Sequence, residues 1–313
     1  MKGILVLVPR PGRARNLAAL AVALASLSSE AAPEGRLELH TFARAFVPGE
    51  LVRFEVVTDP QVPSLRGAFR GAELSFVRSA GPAGDAAWSA WGVIPLDASP
   101  GPAAYRLEAK RPGGSSLSAT GDIAVSAKSF PEQRLTVASK FVNPPKSALS
   151  RIEREKKRLA GIYALRSALV PPTAPFVRPV AGDPTSEFGT HRYFNGEPRA
   201  PHPGIDLHAE TGTPVVAAGP GRVVLAAELY YSGGTVIVDH GSGLFTVYGH
   251  LSKIEAKEGA SVEAGDHLGL SGATGRVTGP HLHWGARVGE SIFDPRALLD
   301  PRLFGRAPAP SPE

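Results

Sequence analysis

The sequence predicts an all-β protein in two parts: an amino-terminal immunoglobulin-like β-sandwich and a carboxy-terminal β-sheet domain, joined by a short helical connector. Three observations carry this expectation. At 313 residues the chain is long enough for two domains, each burying a core of its own. Its 35 glycines and 30 prolines make up about a fifth of the residues, above the usual share of about 12% and short of the roughly 25–30% of disordered chains. Apolar residues fall in many short runs bounded by those turn formers, a pattern of numerous strands rather than long helices.

Residues 1–31 read as an export signal. Lys2, Arg10, Arg13 and Arg15 precede the apolar run Asn16 to Leu27, and cleavage after Ala31 leaves Ser29 and Ala31 at the recognised small-residue positions. The run is shorter than the ~20 residues of a membrane span, and no second apolar segment follows, so the chain is expected to be periplasmic or secreted with no stable membrane span. A further apolar stretch, Ile4 to Val8, lies ahead of the basic cluster, as if from a start site placed too early. The formal net charge is +5, and removing residues 1–31, with four bases and one acid, leaves +2. No dense basic patch interleaved with aromatics remains, so nucleic acid is not an expected partner. There are no cysteines, which excludes disulfides and thiolate metal ligands.

Residues 36–127 are assigned to the sandwich. Leu51 to Val57, Ala72 to Val77, Tyr105 to Ala109 and Asp122 to Val125 are short apolar or alternating runs at the spacing of such folds. Trp88 and Trp91 are read as packing residues rather than a sugar platform. No chemistry is visible here, and the expected roles are spacing, steric regulation or contact with a regulatory protein partner.

Residues 128–183 form the connector. Ser150-Arg-Ile-Glu153 has the form of a capping box, and Ile152, Leu159, Ile162 and Tyr163 give an apolar stripe, so one helix is expected, ended by Pro171-Pro172. The mixed-sign run Arg151 to Arg158 suits a solvated helix face. Residues 184–303 are the second domain, and residues 304–313 a disordered tail.

The second domain holds the chemistry. Between residues 202 and 283 stand four histidines and an aspartate in three clusters: His202-Pro-Gly-Ile-Asp206, Tyr248-Gly-His250 and His281-Leu-His283. Such a set can supply a three-ligand metal site with two spare imidazoles beside it. On a strand, His281 and His283 project to one side and Leu282 to the other. Pro203-Gly204 makes a helix improbable between His202 and Asp206, so a loop entering a strand is expected there. His250 ends the strand-like run Leu244 to Tyr248. His40, His191, His208, His240 and His267 lack a partner pattern and are read as structural, His208 less firmly because it alternates with Asp206.

These motifs, in this order, resemble the lysostaphin/LytM-type zinc metalloendopeptidases, which cleave peptide cross-links of bacterial cell walls. The intervening segments Gly212-Thr-Pro-Val215, Gly219-Pro-Gly-Arg-Val223, Val262-Glu-Ala-Gly265 and Gly272-Ala-Thr-Gly275 match as well, and the resemblance covers about residues 183–300. It implies a LytM/lysostaphin-like peptidase domain, with the two-domain plan of Gram-negative members, acting on peptidoglycan peptide stems. It also implies one Zn2+ per chain held by His202, Asp206 and His283, with His250 and His281 as the catalytic pair. Two neutral imidazoles and a carboxylate leave zinc a position open to water, whose pKa such a metal lowers from about 15.7 to about 7. The His-Glu-x-x-His motif, with its glutamate base, does not occur. An imidazole must therefore do the proton work: His281 is the first choice, with His250 orienting water or stabilising the oxyanion, and the two roles are exchangeable.

The loop Phe188 to Gly196 runs towards His202 and is a candidate groove wall. Tyr193, Asn195 and Arg199 are the candidate substrate-binding residues; Arg192 and Arg199 are candidates for substrate carboxylates, with solvation as the default for exposed charges. The expected activity is hydrolysis of peptide cross-links, with a D-alanyl–diaminopimelate bond favoured over a glycine bridge. The alternative is a non-catalytic LytM-type regulator that activates another cell-wall hydrolase, and the intact five-residue set argues against it. A biotinyl or lipoyl carrier needs a lysine at a hairpin tip, and residues 200–290 offer only Lys253 and Lys257 outside such a context.

Overall fold

The computed structural model describes residues 35–136, 144–167, 169 and 171–305. The signal segment and residues 306–313 of the expected tail lie outside the described residues. Among the described residues no helix is long and apolar enough to cross a membrane.

The first domain is two four-stranded antiparallel sheets. One runs β1 (Leu37–Phe42), β2 (Glu50–Thr58), β6 (Ala86–Ile94), β5 (Val77–Ala80). The other runs β4 (Ala72–Glu73), β3 (Ser64–Phe69), β7 (Gly101–Lys110), β8 (Ser116–Val125). Strand alternation decides what each face buries: in β7, Ala103, Tyr105, Leu107 and Ala109 point inward to meet Val52, Phe54 and Val56 of β2. In immunoglobulin nomenclature the first order is ABED, and β3-β7-β8 is CFG with β4 added at the edge. The strand expected over Ala72 to Val77 is broken, because β4 and β5 belong to different sheets and the chain crosses between them at Leu74, which is buried in the core.

Trp88 lies in the sandwich core and its indole N–H donates to Thr58 Oγ1 at 2.9 Å. Trp91 is an odd number of residues further along β6 and so faces outward, where with Leu51 it joins the core of the second domain. It meets Phe304 edge to face with ring centres 6.2 Å apart. Phe304 is therefore a core residue and not part of the expected tail. Polar contacts close the same junction: Asp294 N–H donates to Gly49 O at 2.9 Å, and Arg44 bridges Glu50 and Asp294, reaching the latter at 2.7 Å.

The connector is woven into the second domain. Its residues Glu132–Leu135 form β9, which pairs in parallel with β11 (His191–Phe194), itself paired with β12 (Glu197–Pro198). Helix α1 spans Lys146–Tyr163, with Pro145 as its N-cap and no side-chain cap bond. The expected capping box at Ser150 is thus a turn too late. Pro144-Pro145 holds the chain extended until Lys146, and helix starts as soon as that restriction ends. The helix also stops at Tyr163, before the prolines expected to end it. Three of the four stripe residues pack as the spacing predicts: Ile162 and Tyr163 are buried and Leu159 packs beside them against Leu225, Leu229, Ile237 and Phe245, while Ile152 stays half-buried outside that cluster. Phe176 and Val180, also connector residues, enter the second domain's main core.

That domain is built on one large antiparallel sheet in the order β10 (Pro184–Ser186), β13 (Gly204–Leu207), β21 (Leu282–Val288), β17 (Leu244–Leu251), β16 (Gly233–Asp239), β15 (Gly221–Leu229), β19 (Ser261–Val262), with β22 (Ser291–Phe293) added to β21. A small sheet of β14 (Pro214–Val216), β20 (His267–Leu270) and β18 (Lys253–Ile254) accompanies it. The large sheet is covered on both faces, so β16 is buried throughout. Val236 and Val238 enter the main core with Tyr248 and Trp284, while Ile237 turns to α1. The same alternation sends Ile205, Leu207, Leu282 and Trp284 into the main core and leaves Asp206 and His283 on the other face.

Candidate metal centre

Three central strands bring the site together. Asp206 of β13 stands opposite His283 of β21, and His283 stands opposite Gly249 of β17, which places His250 next to the pair. His202 reaches them from the loop before β13. Gly204 is required by this arrangement: a Cβ there would lie 2.9 Å from the His283 ring and 2.4 Å from the Trp284 carbonyl oxygen. His281 precedes β21 and is held by a bridge to Gly272.

The donor atoms converge. Asp206 Oδ1 lies 3.0 Å from His202 Nε2 and 2.9 Å from His283 Nδ1, and the two nitrogens are 3.0 Å apart. Ligand atoms about 2.0–2.1 Å from a tetrahedral ion stand about 3.3 Å from one another, so this triangle is slightly contracted but of the right size. Two imidazole nitrogens and a carboxylate oxygen, with no sulfur, suit a borderline divalent ion such as zinc. Among the described residues, His202, Asp206 and His283 form a group whose donor atoms are close enough together to hold a metal ion.

Surrounding groups orient these donors. His202 Nδ1–H donates to the Glu187 carbonyl at 3.0 Å, which turns the Nε2 lone pair inward. Arg192 Nη2 donates to Asp206 Oδ2 at 2.6 Å and to Ser186 Oγ at 2.8 Å, leaving Oδ1 for the cluster. Burial pushes the His202 imidazole down to about 4, against the pull of Asp206. Burial alone would raise Asp206, but hydrogen bonds and charges from His202 and His283 outweigh it and hold the carboxyl well below its ordinary range. The centre is therefore two imidazoles around a firmly ionised carboxylate.

The two remaining histidines flank it. His250 and His281 have ring centres 4.8 Å apart, and His250 is 6.0 Å from His283. His250 Nδ1–H donates to Thr274 O, and His281 Nδ1–H to Gly279 O, each at 2.9 Å, so both present Nε2 as the free ring nitrogen. Burial, reinforced by the charges of His283 and His281, pushes His250 down to about 3. The His250 backbone sits at φ 65°, a left-handed conformation that costs a non-glycine residue about 1–3 kcal/mol, and its N–H donates to Ser232 O at 2.7 Å. Sequence spacing put His250 at a strand end but carried no sign of this strain.

A cleft of about 290 Å³ opens over the centre, lined by His202, Asp206, His250, His281 and His283 together with Arg192, Phe194, Tyr231, Arg276, and Gln133 and Leu135 of β9. Tyr193, Asn195 and Arg199, the expected substrate-binding residues, do not line it. Alternation along β11 turns Arg192 and Phe194 to the cleft and Tyr193 away, where it packs under Arg134 with the guanidinium 4.2 Å from the ring centre. Asn195 occupies a left-handed turn position at φ 53° between β11 and β12, and Arg199 pairs with Glu197. Arg192 serves Asp206, a role no local pattern in the sequence marks. Tyr231, Arg276 and β9 were likewise invisible to spacing arguments. The histidines read as structural stay outside: His40 pairs with Glu38, His208 with Glu210, His267 with Glu255, and His191 packs on Phe130. His240 is buried, donating from Nδ1 to Pro220 O at 2.6 Å and facing Thr246 Oγ1 with Nε2 at 2.7 Å.

Comparison with known proteins agrees with this geometry. The model of peptidase family M23 matches residues 200–295. The peptidoglycan DD-endopeptidase ShyA of Vibrio cholerae serotype O1 is 51% identical over 85 residues, 27% of this chain and 20% of that protein. The DD-carboxypeptidase/endopeptidase Mpg of Neisseria meningitidis serogroup B is 39% identical over 100 residues, 32% of this chain and 23% of that protein. The chain thus spans about a fifth of the length of these curated relatives. A crystal structure from Pseudomonas aeruginosa assigned to peptidase M23 is similar at 30% identity and a TM-score of 0.60, covering 82% of this chain and 95% of that one. With a likeness that runs through both domains and centres on the matched motifs, the chain belongs to peptidase family M23.

Proposed function

We propose that the protein is a zinc-dependent endopeptidase that hydrolyses peptide cross-links of bacterial peptidoglycan, at D-alanyl–diaminopimelate bonds, in the periplasm or outside the cell. The observation that carries this reading is the convergence of His202 Nε2, Asp206 Oδ1 and His283 Nδ1 within 3.0 Å of one another beside two further imidazoles. The DD-endopeptidase and DD-carboxypeptidase names of the relatives support the substrate and the bond.

His202, Asp206 and His283 would hold the metal. Zinc, when bound, supplies Lewis-acid activation of water and of the scissile carbonyl. The chain's own residues supply the rest. His281 Nε2, 3.6 Å from Asp206 Oδ1 and free of other partners through its Nδ1–Gly279 bond, accepts the proton released as water attacks and returns it to the leaving amine. His250, held by Thr274 through Nδ1–H and by its strained backbone, turns Nε2 to the cleft, where it accepts a hydrogen bond from the attacking water and orients it. Arg192 keeps Asp206 from rotating out of the centre. Phe194, Tyr231 and the β9 residues Gln133 and Leu135 wall the cleft and limit access of bulk water.

The test is digestion of purified cross-linked muropeptide dimers followed by mass spectrometry of the products, with and without a chelator. Monomer products whose new ends are D-alanine and a free diaminopimelate amine, formed only without chelator, are the expected result. A non-catalytic regulator would leave the dimers intact under both conditions.

A further inference from the structure

Two arginines line the cleft, and their situations differ. Arg192 is neutralised by Asp206, and nearby Arg199 by Glu197. Arg276 has no acidic partner and no side-chain hydrogen bond among the described residues, although it is only partly exposed. Its backbone N–H donates to Tyr231 O at 2.8 Å, which fixes the start of the side chain. The guanidinium then lies 4.7 Å from the Tyr231 ring centre and 4.9 Å from that of Phe194. Burial, aided by the like charges of Arg192 and Arg199 and opposed by Tyr231, holds it below its ordinary value.

Contacts with ring faces attract a cation but use none of the five N–H donors at its edge. A partly desolvated charge with its donors unspent is costly until an anion arrives. The planar fork pairs bidentately with a carboxylate or a phosphate, and of these a peptide stem offers carboxylates. In a D-alanyl–diaminopimelate cross-link the carbon bonded to the amide nitrogen carries a free carboxylate, whereas a glycine bridge carries none. We propose that Arg276, stacked against Phe194 and Tyr231 in the cleft, is a specificity-determining residue that pairs with the substrate carboxylate beside the cleaved amide. This deepens the endopeptidase reading and rests on it.

The experiment compares two cross-linked muropeptide dimers that differ only in that carboxylate, free in one and amidated in the other. Binding to the full chain, with chelator present so that neither is cut, is measured by calorimetry; cleavage by the zinc-loaded protein is measured separately. The free acid is expected to bind about ten- to a hundredfold more tightly than the amide, as for a charge-assisted hydrogen-bonded pair. Arg276→Gln should abolish the preference, and Arg276→Lys should keep part of it. A pentapeptide stem ending in D-alanyl-D-alanine presents the same group at a chain end, and its affinity beside that of the dimer tells which source the site accepts. Equal binding of acid and amide by the unaltered protein, or an undiminished preference in a folded Arg276→Gln variant, would overturn the proposal. If neither dimer is cut, the endopeptidase reading fails, while the binding comparison still decides the role of Arg276.

Discussion

Arg192 holds the carboxylate of Asp206 from behind, donating to Oδ2 at 2.6 Å while Oδ1 faces His202 and His283. An aspartate held on one oxygen by a guanidinium and facing two imidazoles with the other has one orientation. Arg192→Leu is expected to weaken zinc binding by about ten- to a hundredfold, the usual cost of removing a ligand's supporting partner. Competition with a chromophoric chelator measures it, and an unchanged affinity would show that Asp206 is oriented without Arg192.

The four histidines of the site should separate into two classes. His202→Ala and His283→Ala remove donors of the converging triangle and are expected to lose the metal. His250→Ala and His281→Ala should retain it yet cut at a rate lower by about two to four orders of magnitude, the range of general acid–base catalysis. Metal content by elemental analysis beside muropeptide turnover distinguishes the classes. Full turnover by both zinc-loaded flanking variants would defeat the assignment of roles.

Gly204 tests how close the strands must come. The added methyl of Gly204→Ala would stand 2.4 Å from Trp284 O and 2.9 Å from the His283 ring, so β13 or the imidazole must move. A cost of about 1–3 kcal/mol in unfolding free energy is expected, as for overpacking elsewhere, together with loss of zinc. Denaturant titration and metal analysis of the same preparation check both; normal values would mean the contact relaxes freely.

His240 gives a pH signature remote from the metal centre. Burial pushes it down to about 4 in the folded chain, from an ordinary value of 6.5. The unfolded chain therefore takes up a proton that the fold refuses between those values. Stability is full above the unfolded value and falls as pH drops through the window, by at most about 3 kcal/mol. Denaturant unfolding at about pH 7.5 and about pH 5 should show a smaller loss for His240→Gln than for the unaltered chain. Equal losses would mean that other groups carry the dependence.

Much of the β-strand content was legible in the sequence because its signals are local. Alternation in β2 and β7 and the stripe on α1 each depend on a few adjacent residues. What local signals missed has one common cause. The break between β4 and β5, the docking of Trp91 against Phe304 and the pairing of β9 with β11 all follow from what a segment meets across space. The misplaced substrate wall is the sharpest case. Tyr193 and Arg199 were chosen by residue type, whereas the face of β11 that meets the cleft carries Arg192 and Phe194.

By itself the sequence determined the inventory: two imidazoles and a carboxylate with two spare histidines, with Asp206 and His283 on strand-forming segments whose period of two turns them away from the core. Only the tertiary structure decided that His202 and His283, 81 residues apart, and Asp206 and His283, 77 apart, bring one atom each to a common point. It alone also gave Asp206 to Arg192 and left Arg276 facing the cleft without an acid. The physical reason is that strand alternation is a property of neighbouring residues, whereas the register of β13, β21 and β17 is set by packing across the whole sheet.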